Sequence, residues 1–254
     1  MDDILATFRP DLFAGRTVLV SGASSGIGLA IARGFAACGA SVVATGTSDA
    51  KLDAARAETG DADIRFATLD VRDQRAVEVF IAAMERVDVL VNAQGVARPF
   101  DEFNDEVFRD VIDINLTSAM RLATAARPQL GRTRGAIINI ASMLSYLGDA
   151  AVPAYGASKT GLLGLTRALA HAWGPDGIRV NAISPGYHRT EMTKPLWSEA
   201  RSFEAIERHA ALRRWGTTGD LVGAALFLAS PAAAFITGAD LPVDGGYVVG
   251  AVTG

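Results

Sequence analysis

Short apolar runs alternate with stretches of helical spacing along almost the whole chain. Runs of strand length fall at residues 17–20, 41–44, 64–69, 87–91, 136–140, 178–183 and 239–243. Between them, residues 30–37, 49–58, 72–85 and 154–173 carry apolar positions at helical spacing, and 105–127 holds one or two further helices. The strand runs are apolar nearly without a break, as strands are when helices cover both faces of a sheet. This alternation predicts an α/β fold: a doubly wound, Rossmann-type parallel sheet of seven strands. Pro242 cannot donate to a ladder, so the last strand belongs on an edge. No repeat or Ser/Pro-rich linker interrupts the pattern, so one domain over residues 1–254 is expected. Residues 190–216 are polar and lack strand signals, and read as a helical insertion or substrate lid.

One segment tests the soluble reading. Residues 221–239 contain no charge and are nominally long enough to span a bilayer. Pro231 divides them, and much of the rest is Ala and Gly. A short buried helix ending near Ala229 is the expectation, capped by Thr218 or Asp220.

Composition narrows the function classes. The chain has 254 residues, half of them hydrophobic and 20% charged, with a net charge of −4. That is ample material for a core and gives no electrostatic case for nucleic acid. Cys38 stands alone, so no intrachain disulfide or cysteine-based metal site is expected, and Cys38 itself reads as a small buried hydrophobe. The acidic start, Met1-Asp2-Asp3-Ile4, is not a signal peptide, which makes a cytoplasmic enzyme the default.

The first apolar run leads into Ser21-Gly22-Ala23-Ser24-Ser25-Gly26-Ile27-Gly28. A glycine-rich strand-to-helix turn aims free N–H groups and the positive end of a helix at an anion such as a pyrophosphate. Gly22, Gly26 and Gly28 remove Cβ atoms from that turn, and Ser24 and Ser25 add donors. The spacing differs from both G-x-G-x-x-G and the P-loop. A dinucleotide is therefore the expected ligand. At the end of the second strand, Ala44-Thr45-Gly46-Thr47-Ser48 offers neither an acid for a ribose 2′-hydroxyl nor an Arg for a 2′-phosphate. NAD and NADP both stay open, with a lean to NAD because no cation lies close in sequence to offset the desolvation of a phosphate.

The candidate chemistry lies further along. Tyr155 and Lys159 are one helical turn apart. A phenol has a free pKa of about 10; lowering it by roughly three units takes about 4 kcal/mol of preferential interaction with the phenolate. A desolvated ammonium close by is a plausible source. Such a pair is most often a surface pair, so its partners decide. Ser142 follows the fifth strand, at the end of a parallel sheet where ligands bind. Asn115 is an amide in a helical run, costly to bury without partners.

With these residues in place, the chain resembles the short-chain dehydrogenases/reductases over essentially its full length. The resemblance is carried by Gly22, Gly26 and Gly28; Asp70-Val71; Asn92-Ala93-Gln94-Gly95; Asn115; Ser142; Tyr155 with Lys159; and Pro185-Gly186 followed by Thr190. It implies an NAD(P)-dependent oxidoreductase with a catalytic tetrad. Tyr155 would exchange the proton of the reacting oxygen, which Ser142 positions. Lys159 would lower the Tyr155 pKa and hold the nicotinamide ribose, and Asn115 would hold a water leading from Lys159 to solvent. The resemblance also implies cofactor contacts. Ile27 and Thr47 join the glycine turn, Asp70 and Val71 meet the adenine, Asn92 and Gly95 lie near the ribose, and Pro185, Gly186, His188 and Thr190 hold the carboxamide end. Two departures stand out. The usual Asn-Asn-Ala-Gly is Asn92-Ala93-Gln94-Gly95, and His188 fills a position usually aliphatic, where it offers its backbone or, less expectedly, an imidazole.

Within that family, residues 137–164 and 181–187 look most like gluconate 5-dehydrogenases and 2-dehydro-3-deoxy-D-gluconate 5-dehydrogenases. This implies a sugar, sugar acid or polyol as substrate, with Arg98 as a candidate partner for its carboxylate and a solvated loop Arg as the alternative. A second reading is a 3-oxoacyl-acyl-carrier-protein reductase, docking its carrier on Arg127, Arg132 and Arg134. A third is a nucleotide-binding regulator without turnover. The resemblance also implies a homotetramer. Small residues on the helix at 154–173 (Ala157, Gly161, Gly164, Ala168) and an apolar end at 247–252 would suit its interfaces. No metal, nucleic acid or membrane partner is expected.

Overall fold

The computed structural model describes residues 2–60 and 62–250. The seven apolar runs form one parallel sheet: β1 (Thr17–Ser21), β2 (Ser41–Gly46), β3 (Ile64–Thr68), β4 (Val89–Asn92), β5 (Ala136–Ile140), β6 (Arg179–Pro185) and β7 (Asp240–Val243). Their order is β3-β2-β1-β4-β5-β6-β7, so the chain reverses direction across the sheet between β1 and β4. In such sheets ligands bind in the crevice beyond the carboxyl ends of the strands at this reversal, here the loops after β1 and β4. β7 pairs only with β6, which is where Pro242 can be tolerated.

The helices are α1 (Asp2–Leu5), α2 (Gly26–Ala37), α3 (Asp49–Thr59), α4 (Gln74–Ala82), α5 (Asp105–Ile112), α6 (Ser118–Thr133), α7 (Pro153–Trp173), α8 (Lys194–Trp197), α9 (Ala200–His209) and α10 (Val222–Ala229). Side chains alternate across each strand. Val18 and Val20 enter a core shared with Ile31 and Phe35 of α2 and with Ala225 and Leu226 of α10. Leu19 and Leu90 enter the opposite core with Ile81 of α4, Leu122 of α6 and Trp173 of α7. Burial on both faces explains why the strands lack a polar alternation.

Several boundaries differ from the pattern. The first long helix begins at Gly26, not residue 30, because the last glycines of the turn already form its first turn. The helix expected at 72–85 is confined to Gln74–Ala82, with Asp73 accepting from the Ala76 N–H at 2.9 Å. The span 105–127 holds two helices. A π-helical stretch, Asp113–Thr117, separates them, and α6 runs on to Thr133. The uncharged span 221–239 contains the short buried helix α10. Its lead-in turn is capped by Thr217, not by Thr218 or Asp220. Asp220 instead completes a capping box, accepting from the Thr217 N–H at 2.7 Å. Among the described residues, no helix is long and apolar enough to cross a membrane. The polar insertion supplies α8 and α9, and His188 pairs with Gly216 in an isolated parallel bridge at its base. Part of the apolar end at 247–252 lies outside the described residues.

Candidate active site

The glycine turn is shaped by close backbone approach. A Cβ at Gly22 would sit 2.5 Å from the Gln94 Cα, and one at Gly28 would sit 2.3 Å from the Gly22 carbonyl oxygen. Gly22 and Gly26 also take positive φ, 76° and 57°. Ser25 precedes α2 in an extended conformation and makes no side-chain cap, so the first amides of α2 are left to an external acceptor. A Cβ at Gly26 would approach the Thr190 methyl at 3.7 Å, which brings the loop after β6 to the glycine turn. An uncapped helix start behind a cradle that admits no Cβ fits the pyrophosphate of a dinucleotide. Ile27 is partly buried in this turn, and Thr47 is exposed at the end of β2.

Asn92 ends β4 beside Ser21, its register partner at the end of β1. It donates to Asn139 at 2.8 Å, and Asn139 donates to Thr166 of α7 at 2.9 Å. The Asn92 Oδ1 and the hydroxyls of Ser21 and Thr45 are buried without a partner. Gln94 turns away from the crevice and donates to Ser118 at 2.8 Å, taking up the departure from Asn-Asn-Ala-Gly inside the fold. Gly95 leaves space for Lys159, whose Nζ would lie 3.3 Å from a Cβ at that position. Val71 is buried. The Asp70 carboxylate, expected against adenine, is engaged by Arg72 through its backbone N–H at 2.9 Å and its guanidinium at 2.7 Å. This pairing holds Asp70 below the usual carboxylate range. The same network engages Arg98, the candidate carboxylate partner: Arg72 and Arg98 both pair with Asp110, at 3.2 and 2.6 Å.

The four candidate catalytic residues come together from three elements. Ser142 follows β5 and accepts from the Leu144 N–H at 3.1 Å. Tyr155 and Lys159 lie on α7, with the ammonium 5.6 Å from the centre of the phenol ring. Lys159 donates to the Ile140 carbonyl at 2.7 Å and is 3% exposed. Burial lowers its pKa to about 8. Asn115 sits in the π-helical stretch. It accepts from the Val96 N–H at 2.8 Å and donates to the Val96 carbonyl at 2.9 Å and to Ser158 at 3.0 Å. The amide expected to be costly in a helix is thus fully partnered.

The electrostatics of Tyr155 differ from the expectation built on its spacing to Lys159. Burial pushes the phenol above its usual value; the hydrogen bond with Ser142 opposes this, and the charge of Glu102 adds to it. In the chain by itself desolvation therefore dominates, and the Ser142 hydrogen bond offsets it only in part.

Glu102 was not legible in the sequence. It is 1% exposed in the loop before α5 and accepts from the Arg98 and Tyr155 N–H groups, both at 2.9 Å. It thereby ties the crevice loop to the first turn of α7. Its only signal was an acid inside the apolar Phe100-Asp101-Glu102-Phe103 run, which does not separate it from Asp101.

Beyond Pro185, a Cβ at Gly186 would lie 2.7 Å from Asp244. His188 is buried, with Nδ1 3.1 Å from the Gly186 carbonyl, and burial pushes its pKa below the ordinary value. Its ring is wedged against Gly216, and its carbonyl accepts from Thr193 at 2.6 Å. A cavity of about 510 Å³ beside it, lined by Tyr187, Arg214, Asp220 and Asp244, includes none of the four candidate catalytic residues.

The comparisons with known proteins agree with this architecture. A family model described as enoyl-(acyl carrier protein) reductase matches residues 22–248. The chain belongs to the short-chain dehydrogenase/reductase family. It is 39% identical over 252 residues to the gluconate 5-dehydrogenase of Gluconobacter oxydans, covering 95% of this chain and 98% of that one. It is 40% identical over 255 residues to a galactitol 2-dehydrogenase (L-tagatose-forming) of Cereibacter sphaeroides, covering 97% and 99%. Among solved structures, a gluconate 5-dehydrogenase from Burkholderia cenocepacia in complex with NADP and tartrate superposes with a TM-score of 0.87 at 32% identity, covering 95% and 99%. This member of the family is an oxidoreductase acting on hydroxyl groups with a nicotinamide cofactor.

Proposed function

We propose that the protein interconverts a secondary alcohol and a ketone on a sugar acid or polyol. The observation that carries the reading is the convergence of Ser142, Tyr155 and Lys159 at the carboxyl end of β5, on the same side of the sheet as the glycine turn. A nicotinamide cofactor held at the glycine turn and by Lys159 would supply or accept the hydride. Tyr155 gives or takes the proton of the reacting oxygen at its phenol, and Ser142 holds that oxygen. Lys159 holds the nicotinamide ribose and stabilises the phenolate. The Asn115 side chain is committed to Val96 and Ser158, so its peptide carbonyl, in the irregular π-helical ladder, is the group to hold the water leading to solvent.

The proposed cofactor is NADP(H), which moves the lean away from NAD. The end of β2 has no acid to repel a 2′-phosphate. The nearby Asp49 is engaged by the Thr68 hydroxyl, and Lys51 stands on the first turn of α3. The NADP of the Burkholderia relative supports the same choice. We further propose a cytoplasmic homotetramer. Ala157, Gly164 and Ala168 of α7 are exposed together, which suits close packing against a second copy. Gly161, by contrast, is covered within the chain by Leu116. The carrier-protein alternative is weakened because Arg127 already pairs with Asp176 at 2.9 Å.

Steady-state rates with a panel of sugar acids, polyols and 3-oxoacyl thioesters, each with NAD(H) and NADP(H), test the reading. Turnover of sugar acids or polyols supports it, and reaction of 3-oxoacyl thioesters alone overturns it. Tyr155→Phe should lower kcat by about 10²–10⁴-fold; unchanged turnover removes Tyr155 from the mechanism, whereas no turnover of any substrate by the wild-type protein favours a regulator.

A further inference from the structure

At the amino ends of the strands, away from the glycine turn and Tyr155, a cavity of about 450 Å³ is lined by residues that precede or begin β1, β4, β5 and β6. Its charged lining is Arg16, Asp88, Arg134 and Arg179. Asp88 does not balance the three arginines. Its oxygens accept from Arg86 at 2.6 and 2.7 Å and from the Thr17 N–H at 2.9 Å. Among the described residues, Arg179 donates only to carbonyls, those of Leu228, Ala229 and Ser230 at the end of α10. The guanidinium groups of Arg16 and Arg134 have no acidic partner among the described residues.

Two further observations mark the arrangement as strained for a purely structural role. Burial depresses the Arg179 pKa, and the nearby charge of Arg16 pushes it the same way. Arg134 ends α6 with φ at 50°, a left-handed position that favours Gly or Asn, and its side chain packs over Gly177 beside the cavity. The carbonyl end of α10 faces Arg179 and the one carboxylate is already paired with Arg86, so within the recess Arg16 and Arg134 are the guanidinium groups left without an acidic partner among the described residues.

We infer that this cavity is an anion site for a dianionic phosphoryl group, free or esterified to a small metabolite. Guanidinium forks match phosphate oxygens in pairs. The volume lies in the range of small-molecule sites, about 300–1,000 Å³, and leaves room for the organic part of an ester. The inference is independent of the proposed substrate, since the site shares no residue with the catalytic candidates.

The test is isothermal titration of the full chain with inorganic phosphate and with glucose 6-phosphate, in the presence of saturating NADP⁺ and against sodium chloride at matched ionic strength. Saturable binding is expected, weakened about tenfold by Arg16→Gln or by Arg134→Gln, the worth of one charge-assisted hydrogen bond. Both variants should retain wild-type turnover, which also shows that they fold. Tighter binding of glucose 6-phosphate assigns the site to esters, and equal binding assigns it to free phosphate. No binding beyond the chloride control, or binding that neither substitution weakens, overturns the inference.

Discussion

Replacing Glu102 by Gln separates two consequences of one buried carboxylate. Glu102 accepts from two backbone N–H groups at 2.9 Å each, one of them on Tyr155, and is 1% exposed. A hydrogen bond to a charged group contributes about 1.5–3 kcal/mol. Gln keeps one acceptor oxygen but turns its amide NH₂ toward the second N–H, donor against donor. The expected loss is about 2 kcal/mol, read as a fall in Tm of roughly 4–8 °C for a chain of this size. The second consequence is electrostatic. The charge of Glu102 raises the Tyr155 pKa, so its removal lets the phenol ionise at lower pH. The acidic limb of kcat/KM for alcohol oxidation should then move to lower pH. Lys159 and Ser142 are the other groups against the phenol, and both are unchanged. Glu102→Asp is the control: it shortens the reach and destabilises the loop but keeps the charge, so its limb should stay near the wild-type position. Thermal melts and pH–rate profiles of the three proteins decide the matter. A Glu102→Gln profile that stays in place, or moves upward, refutes the electrostatic half of the reasoning.

Three further outcomes are expected. Gly28→Ala puts a Cβ 2.3 Å from the Gly22 carbonyl oxygen, so the turn must open; dinucleotide binding, followed by fluorescence titration, should be lost. Lys159 has its folded pKa lowered from 10.5 to about 8, so between those values the unfolded chain binds the extra proton and stability rises with pH. Wild type should therefore gain up to about 3 kcal/mol over Lys159→Met in denaturant melts as pH climbs through that window. Asp220 is held well below its usual pKa, chiefly by Arg214, and also closes the Thr217 capping box. Its contribution is present above the unfolded carboxylate pKa and fades as pH falls through the folded value. Asp220→Asn should cost about 1 kcal/mol in urea melts at pH 7, and less in acid.

The sequence by itself determined the alternation of strands and helices, the parallel sheet, the edge position of β7 and the glycine turn. Each of these follows from local physics: apolar periodicity, the missing N–H of Pro242 and the missing Cβ atoms of Gly22 and Gly28. It also singled out Tyr155 with Lys159 by their helical spacing and Ser142 by its place after the fifth strand, while their joint catalytic roles, and that of Asn115, came from the family resemblance. Tertiary structure decided what surrounds them. Lys159 and Tyr155 are neighbours on any helix, but only the folded chain sets how far burial displaces the phenol and which carboxylate lies beside it. The fold also gives Arg98 and Asp70 partners within the chain, Asp110 of α5 and the neighbouring Arg72. Glu102 and the three arginines at the amino ends of the strands carry no local pattern at all. Tyr155 lies 53 residues from Glu102, and the three arginines lie at three separate elements; charge interactions depend on separation and burial in space, which sequence spacing fixes only within a single helix or strand.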